Sequence, residues 1–434
     1  MNEAIGFIGL AALFVMIAVR VPIGIALITA SFGGIWALIG LPAATSTLKI
    51  APYGFAANWQ LSSVPMFLFM GFLCYHAGIT HGLFNAARVW LVRLPGGLAI
   101  ASVFGSAGFA AITGSSVACA AAMGRIAVPE MLRSNYSPSL ATGTVAAAGT
   151  VGALIPPSII FIIFGILAEQ PIGKLFLGGA MAGLLTVLSY MLVIVIWVLL
   201  KPSAAPRLTE QYTIRDRVRT LPSILPAIVL AGAVFGGLFT GLFTPTEAGA
   251  VGSGISILVA LFMRTLTWVN FRKSLVESFT TSATLFIIAI GANMLTRFVS
   301  LSGADEGIAA FVIQISGDPM LLLAFIALIY LVLGMFLDPT GAMLLTLPIL
   351  IPVAANAGFD MIWFGVIIVK LLEIGMITPP VGLNVFVIKS VLGEGVTLGT
   401  IFKGVVYFLI ADAIVLLLLI AFPDIVLLLP EMFG

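Results

Sequence analysis

The sequence predicts an all-α integral membrane protein built from two inverted repeats, and three observations lead to this fold class. Hydrophobic residues make up 61% of the 434 residues and charged residues only 8%, against roughly a quarter charged in soluble domains. Apolar runs of about 20 residues, the length of a helix that crosses a bilayer, follow one another along the chain. The second half of the sequence repeats the first at one offset. These features exclude a soluble enzyme and place the chemistry inside the membrane.

Ten crossings are predicted from the apolar runs. They lie at about 4–19, 22–40, 60–78, 137–168, 172–200, 222–243, 245–263, 279–299, 360–392 and 399–428. Two more apolar stretches, about 97–130 and 319–355, are interrupted by Thr113-Gly114-Ser115-Ser116 and by Asp338-Pro339-Thr340-Gly341. Lipid cannot form hydrogen bonds with the free N–H and C=O groups of an irregular turn, so such a turn must face protein or a water-filled cavity. We therefore predict two re-entrant hairpins whose tips are candidate sites.

Basic residues indicate how the chain sits in the membrane. If both hairpins return to their own side, Arg20, Arg88, Arg93 and Arg133 share one face with the basic segment 201–221. The bias in Lys and Arg assigns that face to the cytoplasm. Both termini then lie outside, the first hairpin opens from the cytoplasm and the second opens from the outside.

A repeat becomes visible when the sequence is shifted against itself by 223 residues. This offset pairs Pro22 with Pro245, Pro129 with Pro352, Gly152 with Gly375, Pro156 with Pro379 and Pro157 with Pro380. The first repeat covers residues 1–200 and the second covers 222–434, joined by a cytoplasmic amphipathic linker at 201–221. Each repeat has five crossings and one hairpin, so the odd number of crossings inverts the second copy. Inverted repeats with broken helices at matching positions indicate a secondary transporter whose site lies near the membrane midplane.

Each Pro-Pro pair interrupts one crossing, at 137–168 or at 360–392. Two successive prolines remove two backbone donors and clash with the preceding turn, so the helix must break. The break frees carbonyl oxygens and begins a new half-helix at its positive amide end, which offers a cation site beside an anion site. A structural kink is the alternative, but duplication at one register favours a functional role.

The hairpin tips combine small residues, hydroxyls and one carboxylate. These are hard oxygen ligands, and without clustered carboxylates they favour Na⁺ over a divalent cation. An acid within a membrane segment is costly and is functional by default, which makes Asp338 a strong candidate. Close helix packing is the alternative for Ser115 and Ser116.

Other polar residues of the membrane segments have two interpretations each. Glu373 follows Lys370 by three residues on the same helical face, and a structural ion pair is preferred there over a proton relay. Arg125 could position a substrate carboxylate, although it can also extend to the basic face. Asn384 could bond a substrate oxygen or bridge two helices.

Several classes of protein are disfavoured by composition. A net charge of +2 provides no basic patch for nucleic acid. Cys74 and Cys119 lack the spacing of a metal site or a disulfide framework. His76 and His81 have no nucleophile or metal-spaced partner, so no enzyme is expected. No Gly-rich phosphate-binding loop followed by Lys and Ser or Thr is present, so ATP does not drive this chain directly.

Several motifs resemble the large membrane subunit of TRAP (tripartite ATP-independent periplasmic) transporters. They are Gly152-Ala153-Leu154-Ile155-Pro156-Pro157-Ser158, Ile172-Gly173-Lys174-Leu175-Phe176, Gly241-Leu242-Phe243-Thr244-Pro245-Thr246-Glu247-Ala248, Gly334-Met335-Phe336-Leu337-Asp338 and Ile377-Thr378-Pro379-Pro380-Val381-Gly382. The resemblance covers essentially the whole chain. It departs from the family pattern at Lys370, where a neutral residue is expected.

The resemblance implies a multi-pass protein of the bacterial inner membrane with both termini in the periplasm. Its fold is then an elevator, similar to the ion transporter superfamily, with a static scaffold and a moving transport domain. Na⁺ is the coupling ion, no organic cofactor is expected, and the substrate is a small organic acid. Dicarboxylates, keto acids, sugar acids such as sialic acid and ectoine-like zwitterions are all compatible with a site built from hydroxyls, carbonyls and helix amide ends. The implied partners are a small four-helix membrane subunit and a periplasmic substrate-binding protein.

The resemblance also implies which residues surround Na⁺ and substrate, namely the hairpin tips and the Pro-Pro breaks. The Na⁺ candidates are Gly114, Ser115, Ser116, Gly152, Pro156, Pro157, Asp338, Pro339, Thr340, Gly375, Thr378, Pro379 and Pro380. The candidate substrate contacts are Ser115, Ser116, Ser158, Asp338, Thr340 and Asn384.

A stand-alone Na⁺/carboxylate symporter of the divalent-anion type is the alternative function. It shares the hairpin plan and differs in needing no periplasmic binding protein. A channel is disfavoured, because inverted repeats with opposed hairpins suit alternating access.

Overall fold

The computed structural model describes residues 2–206, 212–304, 307 and 318–433, and the regular structure of these residues is helical. The helices are α1 (Asn2–Ala18), α2 (Ile23–Ile39), α3 (Leu41–Ala56), α4 (Ser63–His76), α5 (Ile79–Leu91), α6 (Gly97–Thr113), α7 (Ser116–Arg133), α8 (Pro138–Leu154), α9 (Ile159–Leu167), α10 (Ile172–Leu200), α11 (Ile214–Phe239), α12 (Pro245–Phe262), α13 (Trp268–Ser302), α14 (Pro319–Phe336), α15 (Pro339–Asn356), α16 (Met361–Gly375), α17 (Leu383–Leu392), α18 (Leu398–Ala421) and α19 (Asp424–Phe433). Within these residues, eight helical segments are long and apolar enough to cross a membrane, if α8 and α9 are taken as one. The predicted fold class, an all-α membrane protein, is confirmed.

The helix boundaries follow the repeat in the sequence. The helix α7 begins at Ser116 and α15 at Pro339, and both are 18 residues long. The helix α8 begins at Pro138 and α16 at Met361, again 223 positions later. Equivalent residues therefore begin equivalent helices, as duplicated sequence patterns require.

Two helical hairpins lie at the predicted positions. The first is formed by α6 and α7, which are joined at Gly114 and Ser115, and the second is formed by α14 and α15, which are joined at Leu337 and Asp338. Gly114 has φ +59°, a left-handed conformation that glycine adopts without steric cost. Each hairpin therefore turns where the sequence places its polar residues.

Both Pro-Pro pairs interrupt helices. The first break lies between α8 and α9, and the second lies between α16 and α17. The peptide bonds Pro156-Pro157 and Pro379-Pro380 are both cis. The half-helix α9 is capped by Ser158, whose hydroxyl accepts from the amide of Phe161 at 3.5 Å.

The helix α8 lies at the centre of the packing, and all its residues from Leu140 to Leu154 are buried. It contacts the first hairpin, α10 and α18. Its run of Ala and Gly residues allows close approach, since small side chains let backbones pack tightly in membranes. At Gly143, an added Cβ would lie 2.5 Å from the Gly404 backbone of α18. The small residues of α8 therefore bring the two repeats into contact.

Several predicted boundaries are wrong. The helix α3 was not predicted, because Thr, Ser, Lys and Pro interrupt its apolar pattern. The predicted crossing at 399–428 is two helices, since Phe422-Pro423 ends α18. The predicted linker 201–221 ends inside α11, which begins with a capping box formed by Thr213 and Asp216; residues 207–211 of that linker lie outside the described part of the chain.

Candidate functional site

One cavity of about 370 Å³ brings the two hairpin tips together. Its first wall is formed by the tip between α6 and α7, the tip between α14 and α15, and the start of α9. Its second wall is formed by α4 and α13. The lining residues on the first wall include Thr113, Gly114, Ser115, Ser116, Val117, Ala118, Ile159, Ile160, Asp338, Pro339 and Thr340. The volume lies at the lower end of the range for small-molecule sites, roughly 300–1,000 Å³.

The first tip is packed against the first Pro-Pro break. A Cβ added at Gly114 would lie 2.1 Å from the carbonyl oxygen of Pro157, and one added at Gly152 would lie 2.9 Å from the Ser115 carbonyl. The Ser115 hydroxyl accepts from the Ala118 amide at 3.4 Å and so caps α7. Because Gly114 and Gly152 have no Cβ, the backbone of the first tip and the backbone of the first break can pack directly against each other.

The second tip carries a carboxylate at the position equivalent to Ser115. Asp338 Oδ1 accepts from the amides of Thr340 at 3.1 Å and Gly341 at 3.0 Å, so Asp338 caps α15. Its side chain is exposed and lines the cavity. One tip is therefore capped by a neutral hydroxyl and the other by a carboxylate.

A buried acid of the second repeat contacts the first tip. The Ser116 hydroxyl donates to Glu373 Oε1 at 2.6 Å, and Glu373 is fully buried. Its second oxygen, Oε2, has no hydrogen-bond partner among the described residues. This contact joins α7 of the first repeat to α16 of the second.

The predicted ion pair between Lys370 and Glu373 is wrong. Lys370 Nζ lies 2.5 Å from Asp412 Oδ1 on α18 and donates to Thr186 Oγ1 at 3.0 Å. Tyr190 donates to the other oxygen of Asp412 at 2.7 Å. Sequence spacing favours a partner three residues away, but α18 presents a carboxylate that is 42 residues away in the chain and directly beside the ammonium group.

The predicted residues are not all at the cavity. Gly114, Ser115, Ser116, Asp338, Pro339 and Thr340 line it. Pro156, Pro157, Ser158 and Gly152 are buried behind the first tip. The second break contributes only Met376 to the lining. Gly375 is buried against Gly334 of α14, and Thr378 donates to the Ile374 carbonyl at 2.7 Å.

The other residues near the second break also lie outside the cavity lining. Pro379 and Pro380 are exposed. Asn384 is buried and donates to the Ala146 carbonyl of α8 at 3.4 Å. It therefore bridges α17 and α8, the second of the two interpretations given for this residue. Its Oδ1 has no hydrogen-bond partner among the described residues.

The second wall contains polar residues that sequence reasoning missed. Glu277, Thr281 and Leu285 lie one turn apart on α13, and Tyr75 lies on α4. His76 Nε2 contacts Glu277 Oε2 at 3.0 Å. The spacing of Glu277 and Thr281 on α13 was a usable signal, because residues four positions apart fall on one helical face.

Arg125 does not line the cavity. It donates to the Tyr75 hydroxyl at 2.9 Å and is exposed. Glu130 on the same helix pairs with Arg88 of α5 at 2.5 Å. These contacts tie α7 to α4 and α5, so the structure assigns Arg125 a contact between helices.

Gly114→Ala is expected to disturb the first tip. A left-handed backbone costs about 1–3 kcal/mol for a residue with a Cβ, and the added Cβ would collide with the Pro157 carbonyl. We expect a lower melting temperature and about tenfold weaker uptake, measured on purified and reconstituted protein. Gly254→Ala is the control, because no atom beyond the surrounding backbone of its own helix lies within 4 Å of its added Cβ. Equal behaviour of the two variants would contradict the role of the tip.

A chain in which two hairpin tips and a broken helix meet at one cavity has the architecture of a secondary transporter. The family model of the tripartite ATP-independent periplasmic transporter, DctM component, matches residues 10–425. The chain therefore belongs to the TRAP transporter family as a large permease, and this is a family of transporters rather than enzymes.

Two permeases of known families are similar to this chain in sequence, and one solved transporter is similar to it in fold. The chain is 33% identical over 403 residues to the C4-dicarboxylate TRAP transporter large permease protein DctM of Pseudomonas aeruginosa, covering 93% of each chain. It is 34% identical over 381 residues to the sialic acid TRAP transporter large permease protein SiaM of Vibrio cholerae, covering 87% of each. The Alcanivorax borkumensis YdaH transporter has a similar fold, with a TM-score of 0.59 at 15% identity, over 88% of this chain and 89% of that one.

Proposed function

We propose that this chain is the large membrane subunit of a Na⁺-coupled transporter that imports a small organic acid delivered by a periplasmic binding protein. The observation that carries this proposal is a cavity shared by two hairpin tips, one with a serine and one with an aspartate as the helix cap. Both relatives described above are named for carboxylate substrates, a C4-dicarboxylate and sialic acid, which supports an organic acid as the cargo.

We assign the substrate carboxylate to the first tip. The helices α7 and α9 both begin at this cavity, and neither has an acidic residue in its first turn. Helix amino termini carry partial positive charge and unsatisfied amides, which bind anions. The Ser115 hydroxyl, which lines the cavity, adds a donor beside them, whereas the Ser116 hydroxyl donates to Glu373. The first tip therefore offers hydrogen-bond donors and positive potential without a basic side chain.

We assign Na⁺ to the second tip. Asp338 presents an exposed carboxylate to the cavity, and Thr340 adds a hydroxyl beside it. Hard oxygen ligands of this kind suit Na⁺. Among the described residues, no group of three or more His, Cys, Asp or Glu side chains lies together, and divalent cations usually recruit several carboxylates. This composition favours a monovalent cation.

The packing suggests which part moves. The first tip contacts the first break and Glu373 of the second repeat, so α7, α8, α9 and α16 behave as one body. Against the second wall, Gly71 of α4 packs closely on Thr113. We propose that these helices move together with the second hairpin, whose helix α14 packs on α16. This hairpin body, α7–α9 with α14–α16, slides along α4 and α13 and carries substrate and Na⁺ across the membrane. The family description, tripartite and periplasmic, supports a small membrane subunit and a binding protein as the partners. The bias in Lys and Arg along the sequence supports placing both termini in the periplasm.

Substrate binding in Na⁺ and in choline tests this proposal. Because coupling between sites is reciprocal, substrate and Na⁺ must raise each other's affinity by the same factor. We expect carboxylate binding to the purified membrane complex to tighten about tenfold or more in Na⁺, measured by calorimetry, which is coupling of about 1.4 kcal/mol. Equal affinities in Na⁺ and choline would contradict Na⁺ coupling.

A further inference from the structure

The cavity carries two carboxylates and, among the described residues that line it, no Lys, Arg or His side chain. Asp338 lies at the second tip, where the proposed Na⁺ neutralises it. Glu277 lies on the second wall, on α13, and is not part of the tip to which Na⁺ is assigned. An anionic substrate in this cavity therefore meets positive helix ends on one wall and a carboxylate on the other.

Glu277 is available to a ligand. Its side chain is 44% exposed and lines the cavity next to Thr281 and Tyr75. One of its oxygens, Oε2, contacts His76 Nε2 at 3.0 Å, which fixes the direction of the side chain. A carboxylate accepts several hydrogen bonds through its two oxygens. The His76 contact therefore leaves capacity for a donor from the substrate.

We infer that Glu277 is a specificity-determining residue that selects a monocarboxylate with a hydrogen-bond donor, hydroxyl or ammonium, at the end remote from its carboxylate. This inference rests on the proposed function. The substrate carboxylate binds at the starts of α7 and α9, and the remote donor bonds Glu277. A dicarboxylate of the same length brings its second charge against Glu277, and like charges at close range oppose binding.

Glu277 can contact the substrate only in the state in which α4 and α13 form the second wall of the cavity. If the hairpin body slides away from α13, the substrate leaves Glu277 behind. Glu277 therefore acts when substrate is loaded, and its effect belongs in the binding affinity of this state rather than in the rate of movement.

Matched substrate pairs test the inference directly. Each pair differs only in a terminal CH₂OH or carboxylate group, namely 4-hydroxybutyrate with succinate, and gluconate with glucarate. Binding is measured by calorimetry on the membrane complex of this chain and its small subunit, in saturating Na⁺ and without binding protein, so that the specificity of the delivery protein does not contribute. We expect the monocarboxylate of each pair to bind at least about tenfold more tightly, a difference of about 1.4 kcal/mol.

Glu277→Gln is the diagnostic variant, because it keeps the shape and a hydrogen bond to His76 while removing the charge. We expect it to reduce the preference for the monocarboxylate about tenfold, mainly by improving dicarboxylate binding. Glu247→Gln is the matched control; it removes the same charge from an exposed capping box of α12, where Gln is also accepted. It should leave both affinities unchanged.

The outcomes separate this inference from the proposed function. Tighter binding of the dicarboxylates, or a preference that Glu277→Gln does not change, overturns the inference while organic acid transport stands. Failure of all four acids to bind in Na⁺ counts against both.

Discussion

Asp338→Asn is expected to reduce Na⁺-driven uptake about 100-fold while the protein stays folded. Asn caps helices about as well as Asp, so the bonds to the amides of Thr340 and Gly341 persist and only the charge is lost. Interactions with a charged group contribute up to about 3 kcal/mol, which corresponds to about two powers of ten in affinity. Uptake by proteoliposomes and the melting temperature are measured together.

Asp318→Asn provides the control for this experiment. Asp318 caps α14 of the same hairpin through the Met320 amide at 2.9 Å, and it lies outside the cavity lining. We expect it to transport normally. If Asp338→Asn also transported at the wild-type rate with unchanged Na⁺ dependence, Asp338 would be a helix cap without a role in cation binding.

Asp412→Leu is expected to have the largest effect on stability. It leaves Lys370, which is 1% exposed, without its carboxylate partner. Breaking a buried ion pair by removing one partner costs about 3–5 kcal/mol, whereas replacing both partners with apolar residues is often neutral. We therefore expect a strongly reduced melting temperature for Asp412→Leu and recovery in the double variant Lys370→Met with Asp412→Leu.

The double variant decides between charge and packing. If it is as unstable as Asp412→Leu alone, the loss comes from packing around Tyr190 and Thr186 rather than from an unpaired ammonium group. Asp424→Leu is the control, because Asp424 is exposed at the start of α19, and we expect it to have little effect.

Much of the architecture could be predicted, because lipid offers no hydrogen bonds to the backbone and short sequence motifs therefore determine where helices turn and break. Polar turns within apolar stretches at Gly114 and Asp338 must become hairpin tips, and Pro-Pro pairs must break their helices. The offset of 223 residues then relates the two halves, and the boundaries of α7 and α15 follow it. These features depend on residues that are close in sequence.

Contacts between distant helices could not be predicted in the same way. The partner of Lys370 is Asp412, and nothing in the spacing of either helix indicates which faces meet. The second wall of the cavity could not be predicted for the same reason. Tyr75 and Glu277 are 202 residues apart and come together only through the packing of α4 on α13. The second break was predicted at the site from the duplicated Pro-Pro motif and the family resemblance. Its prolines are exposed, and only Met376 of this break reaches the cavity lining.

The most direct test of the central claim is uptake of a labelled organic acid into proteoliposomes that contain this chain and its small membrane subunit. The acid is chosen from the matched pairs above, and the imposed gradients are inward Na⁺ or inward choline, with and without the periplasmic binding protein. We predict accumulation only when both the Na⁺ gradient and the binding protein are present. Equal uptake in choline would contradict Na⁺ coupling, and full uptake without the binding protein would identify a stand-alone symporter instead.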